Sequence, residues 1–197
     1  MAVQRLAYFP VVMVRPDLQG IGDLPVPAGY RLRLFHPGDE QTWARVEMAA
    51  GSFADEQRAL DHFAGEFGPH LEEMRERCLF LETSGGEAVG TATAWRDSAF
   101  RGMDHGRIHW VGVVPAHQGN GLGRLLVVKA LLVMREWHSR ACLTTQTSSW
   151  VAIHLYLTLG FVPYVTAPEQ EAGWALMRDK APHPLLRPPP YNGSRQG

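Results

Sequence analysis

The stretch Val113-Val114-Pro115-Ala116-His117-Gln118-Gly119-Asn120-Gly121-Leu122-Gly123-Arg124 constrains this chain more than any other. A buried strand ends at Pro115, which has no N–H to give to a sheet ladder. Glycines follow at alternate positions, and an apolar helix opens at Gly121 and runs to His138. Glycine lets the backbone approach a bulky anion and reach dihedrals closed to other residues. The unpaired N–H groups of the first helical turn, helped by the helix dipole, then face that anion. A nucleotide-like diphosphate fits such a joint. Two other phosphate motifs do not apply. A P-loop needs Gly-Lys-Ser/Thr, and Arg124 follows Gly123; the dinucleotide fingerprint needs a glycine three after Gly121, where Arg124 stands.

Around this joint the chain alternates strands and helices. Residues 1–29 carry Pro10, Pro16, Pro25 and Pro27, and read as an N-terminal arm with one edge strand. Tyr30 to Phe35 alternates apolar residues with Arg31 and Arg33, a half-exposed strand. Pro37-Gly38-Asp39-Glu40 opens a helix to Ala50, and Glu56 to Phe67 is a second, amphipathic helix. Cys78 to Thr83 and Ala88 to Trp95 form a hairpin about Gly85-Gly86. Then come a strand over Arg107 to Val114, the helix from Gly121, a strand over Ala141 to Thr147, a helix over Trp150 to Leu159 ended by Gly160, and a strand over Phe161 to Thr166. Ala172 to Met177 reads as a closing strand, and the proline-rich residues 179–197 as a flexible tail. The expected fold class is α/β, a central mixed sheet flanked by helices on both faces, in a domain over residues 30–178.

Composition excludes several functions. The net charge of −1, with no basic stripe, gives nucleic acid and anionic lipid no field to follow. The helix from Gly121 carries Arg124, Lys129, Arg135 and Glu136, whereas a membrane span needs roughly 20 nearly uncharged residues. Leu6 to Val14 is short, holds Pro10 and lacks a cleavage site, so no leader and no membrane partner are expected. Cys78 and Cys142 lie in strand-like runs and read as buried free thiols of a cytoplasmic protein. The histidines are scattered and there is no CxxC, so no metal site is expected.

Gln118-x-x-Gly121-x-Gly123, preceded by Val113 and Pro115, resembles the signature of the GNAT superfamily of N-acetyltransferases. A second block agrees: Ala152, Leu155, Tyr156, Leu159, Gly160 and Phe161 follow that superfamily's Ala-x-x-Leu-Tyr-x-x-x-Gly-Phe. The order of elements fits over roughly Tyr30 to Met177. The resemblance implies a GNAT-like acyl-CoA N-acyltransferase fold that takes acetyl-CoA as donor. It also implies an amine acceptor, small molecule or protein, and a possible homodimer. The backbone of Val113 and Val114 would bond the pantetheine amides, and the N–H groups of Gln118, Gly119, Asn120, Gly121, Leu122, Gly123 and Arg124 would bind the diphosphate.

Acetyl transfer to an amine requires the amine to lose a proton and the leaving thiolate to gain one. The resemblance makes Tyr156 the thiolate's acid; a tyrosine packed in the core is the other role open to it. Ser149 stands where the superfamily often has an asparagine on the pantetheine arm, and the N-cap of the following helix is the role its position favours. His109 stands where many members carry a glutamate base. With an ordinary pKa of about 6.5, it can act as that base or merely line a pocket. Strand alternation would put Arg107, His109, Val111 and Val113 on one face, with Ile108 and Trp110 on the other. Trp43, Trp95 and Asp97 are further candidates for shaping an acceptor pocket. The alternative to an acetyltransferase is a non-catalytic acyl-CoA-binding module of the same fold.

Overall fold

A computed structural model of the chain describes residues 7–165 and 168–186. The chain divides into two compact units, residues 18–139 and residues 1–17 with 140–197. In the first, β2 (Tyr30–Leu34), β3 (Cys78–Thr83), β4 (Ala88–Asp97) and β5 (His105–Val113) pair antiparallel in that order. Helices cover both faces of this sheet. On one face α4 (Leu122–Met134) sets Leu126 beside Gly90 and Val113; on the other α1 (Glu40–Ala49) sets Glu47 and Ala50 over Gly112.

The core under α1 and α2 (Glu56–Glu66) is aromatic. Trp43 is fully buried, with ring centroids of Phe63, Trp110 and Phe67 at 5.2, 5.5 and 5.9 Å. Edge-to-face pairs at such spacing add to what burial alone supplies. The start of α2 is fixed by Asp55, whose carboxylate accepts the Arg58 N–H at 2.9 Å. A short helix, α3 (Leu71–Arg77), leads into β3 and was not apparent from periodicity.

In the second unit β1 (Pro10–Arg15) lies between β6 (Ala141–Gln146) and β7 (Val162–Tyr164), antiparallel to both. The strand expected at an edge of the N-terminal segment is therefore paired on two sides. Its prolines, Pro10 and Pro16, stand at the ends of the paired segment, where a missing N–H costs the ladder least. The α5 helix (Trp150–Thr158) is found as expected. The closing strand expected over residues 172–177 is instead part of a helix, α6 (Pro168–Lys180). Gly173 lets that helix approach the sheet: a Cβ there would meet Val11 at 2.9 Å. The tail is described only as far as a single 3₁₀ turn, Pro184–Leu186; residues 187–197 lie outside the described residues. Among the described residues no helix is long and apolar enough to cross a membrane.

Candidate active site

The glycine turn is built as its sequence requires. Gly119 and Gly121 have φ of +79° and +76°, the left-handed region in which other residues are strained. Gly121 is the N-cap of α4, and the first intrahelical bond runs from Leu125 N–H to its carbonyl at 3.1 Å. Helix geometry therefore leaves the N–H groups of Leu122 and Gly123 without intrahelical acceptors. A Cβ on Gly119 or Gly121 would meet nothing within 4 Å, so open space lies against the turn.

Side chains brace this turn from within. Gln118 Nε2 donates to the Val113 carbonyl at 2.8 Å, and Asn120 Nδ2 reaches the carbonyls of His117 and Gln118, each at 3.2 Å. Tyr30 on β2 meets His117 Nδ1 through its hydroxyl at 2.8 Å. The polar side chains of the motif thus hold the loop's shape. The Gln118 N–H, expected among the diphosphate donors, instead donates to the Pro115 carbonyl at 3.2 Å and closes the turn.

Val113 and Val114 differ from each other. The Val114 N–H donates to Val89 at 2.9 Å and its carbonyl accepts from His117 at 3.0 Å, so both of its backbone groups are engaged inside the protein. Since the Val114 N–H points to β4, alternation turns the N–H and C=O of Val113 to the opposite edge of β5. Of the two valines expected to present backbone groups, only Val113 does so, and only through its N–H, since its carbonyl accepts from Gln118 Nε2.

Between these residues and His109 the strand is interrupted. Thr91 pairs with Gly112 and Thr93 with His109, so Trp110 and Val111 together oppose Ala92. Trp110 takes φ of +47°, a positive value rare for a bulky residue. The bulge reverses the expected alternation. His109 and Trp110 now share a face, while Val113 lies on the other, beside Gly90 and Leu126. A period of two holds only for an unbroken strand, and one inserted residue shifts it.

The shared face carries an acid that was not expected. Glu66, at the end of α2, receives His109 Nε2 on one oxygen at 2.7 Å. Its other oxygen accepts Trp110 Nε1–H at 2.8 Å and meets His62 Nε2 at 2.8 Å. Burial would raise the Glu66 carboxyl, but its bonds to His109, Trp110 and His62 and the charge of His109 bring it down to about 2. Burial lowers His109 from its ordinary value, the Glu66 bond opposes this, and Arg107 adds to the lowering. At neutral pH the pair is a carboxylate beside a neutral imidazole. The spacing of His62 and Glu66 marks one helical face, but nothing local links Glu66 to a strand 43 residues away.

The remaining candidates are placed as follows. Trp43 is core, and Trp95 is buried between Phe67 and His70, so neither lines an open pocket. Asp97 ends β4, partly exposed. Tyr156 is buried on α5, its ring edge-on to Phe161 at 5.9 Å. Ser149 occupies the N-cap of α5 but makes no capping bond; its hydroxyl accepts from Gln146 Nε2 at 2.9 Å instead. Cys78 and Cys142 are buried free thiols, with burial pushing Cys78 up to about 12.

The profile of the Acetyltransferase (GNAT) family matches residues 41–161, a span holding the glycine turn, the bulge, His109 and Tyr156. The chain belongs to the GNAT acetyltransferase family. Among curated relatives, the mycothiol acetyltransferase of Thermomonospora curvata is 32% identical over 167 residues, 78% of this chain and 52% of that protein. The mycothiol acetyltransferase of Cellulomonas flavigena is 34% identical over 145 residues, 69% of this chain and 41% of that one. This GNAT chain thus spans about half the length of the curated relatives it matches. A GCN5-related N-acetyltransferase from Sphaerobacter thermophilus superposes with a TM-score of 0.62 at 24% identity, over 81% of this chain and 49% of that one. A tandem GNAT protein from the clavulanic acid biosynthesis pathway gives 0.56 at 19%, over 79% and 50%. These two likenesses establish the α/β fold of the family.

Proposed function

We propose that the chain transfers an acetyl group from acetyl-CoA to a primary amine of a small molecule. The observation that carries this is the turn at Gly119 and Gly121, with left-handed backbone, open space against it and the donors of α4 beyond. In this reading the N–H groups from Gly119 to Arg124 hold the diphosphate, and Val113 gives its backbone edge to the pantetheine arm. Gln118 and Asn120 act by shaping the turn. Ser149, its hydroxyl turned to Gln146, is assigned no direct part.

The chemistry is direct transfer. His109 takes a proton from the acceptor ammonium, and the freed nitrogen attacks the thioester carbonyl carbon. The C–S bond breaks, the departing thiolate takes a proton from the Tyr156 hydroxyl, and the acylated nitrogen gives up its second proton, which returns to the tyrosinate through solvent. His109 suits this role because it is neutral at pH 7 and Glu66 stabilises the cation that forms. The role of Tyr156 rests on its place in the Leu155-Tyr156-x-x-x-Gly160-Phe161 block. A small-molecule acceptor is favoured by the relatives named mycothiol acetyltransferase, and the two buried thiols fit a cytoplasmic setting.

The test is turnover of acetyl-CoA with a panel of small primary amines, glucosamine and cysteamine among them, read as free CoA and as acetylated product by mass spectrometry. Saturable product formation with one acceptor supports the reading. Binding of acetyl-CoA with no turnover across amines of varied charge and size would instead make the chain a binding module.

A further inference from the structure

We infer that Glu66 is the positioning residue for His109, holding its ring with Nε2 protonated and leaving Nδ1 as the nitrogen that accepts the proton. The inference rests on the reading of His109 as the base, and it names the atom.

The geometry allows one arrangement. Trp110 Nε1–H can only donate, so the Glu66 oxygen it meets at 2.8 Å must accept. His62 Nε2 adds a second polar contact to that oxygen at 2.8 Å. These bonds hold the carboxyl well below its ordinary value, so at neutral pH it is an anion. Its other oxygen lies 2.7 Å from His109 Nε2, which must therefore carry a hydrogen, since two lone pairs would otherwise face each other. The second ring nitrogen is then the bare one. It has no partner among the described residues, and the side chain keeps 13% of its surface exposed. The charged and titratable groups acting on the ring are Glu66 and His62 from α2 and Arg107 from its own strand.

The arrangement also explains the bulge. Without the extra residue, Trp110 would point to the α4 face, and Glu66 would lose the donor that fixes its second oxygen. The positive φ at Trp110 is local strain kept at a site, where it sets two neighbouring side chains on one carboxylate. When Nδ1 takes the proton, the imidazolium remains bonded to Glu66 through Nε2–H, and the charge pair forms without movement of either group.

The experiment is long-range proton–nitrogen NMR of the His109 ring in the full chain, titrated with pH, together with the pH profile of kcat/KM using the best acceptor of the amine panel. Above its pKa, His109 should show hydrogen on Nε2 and a bare Nδ1. In Glu66→Gln, which keeps shape and loses charge, the His109 pKa and the kinetic inflection should both fall by roughly one unit. A ring found with hydrogen on Nδ1 in the wild-type chain overturns the inference, and this needs no variant to fold. So does a Glu66→Gln profile that is lower throughout yet inflects at the wild-type pH, since a merely structural glutamate would behave that way. Failure of the base reading looks different: His109→Ala would keep the wild-type inflection while the NMR tautomer stands.

Discussion

Glu47 is an acid with no water around it, and its removal should change how stability depends on pH. The side chain is fully buried on α1; Ser52 Oγ–H donates to one oxygen at 2.6 Å. The other oxygen is buried without a partner among the described residues, pressed against Gly112, where a Cβ would sit 2.8 Å from it. Burial pushes the carboxyl up from 4.5 to about 7, with the Ser52 bond opposing. Between those values the folded chain keeps a proton that the unfolded chain has released. Stability must then fall as pH rises through that window, and level off above about 7. At about 1.4 kcal/mol per unit, the loss is about 3 kcal/mol. Glu47→Gln is neutral at every pH and can still accept from Ser52, so it lacks this term. Urea unfolding followed by tryptophan fluorescence, which Trp43 and Trp110 report from the same core, should be run on both proteins at pH 5 and pH 8. The stability of the wild type relative to the variant should drop by most of those 3 kcal/mol between the two. Comparing the difference cancels His109 and every other titrating group. Parallel pH dependences, within about 1 kcal/mol, would mean that Glu47 is hydrated or ionised in the fold, and the burial reasoning would be wrong.

Three further outcomes concern the proposed reaction. Gly121→Glu has room for its side chain but not for its backbone, and it sets a carboxylate at the diphosphate; calorimetry should show CoA affinity down by at least about tenfold, or about 1.4 kcal/mol. A folded variant with unchanged affinity would move the diphosphate elsewhere. Tyr156→Phe should bind acetyl-CoA nearly normally while turnover falls roughly 10²-fold, and near wild-type turnover with chemistry rate-limiting would return Tyr156 to the core. For His109, kcat/KM should rise with pH and level off below about 6.5, because burial lowers the ring's pKa; His109→Ala should lower that plateau and erase the inflection.

The sequence by itself determined what is local. The demand of Gly119 and Gly121 for left-handed backbone, the break at Pro115 and the helix behind them are properties of neighbouring residues, and the turn was legible from them. Most strand and helix spans were legible for the same reason, from periods of two and 3.6. The tertiary structure decided what a period cannot carry. It set the bulge at Trp110, because a non-glycine residue shows no local preference for positive φ and adopts it only where surrounding contacts hold it there. It turned residues 172–177 into helix, because the space beside Val11 at Gly173 admits a helix and local propensity is a weak prior against packing. It also joined Glu66 to His109 across 43 residues of chain. Such a pair leaves no trace in spacing, since its distance is fixed by how α2 packs on the sheet and not by any stretch of chain that contains both.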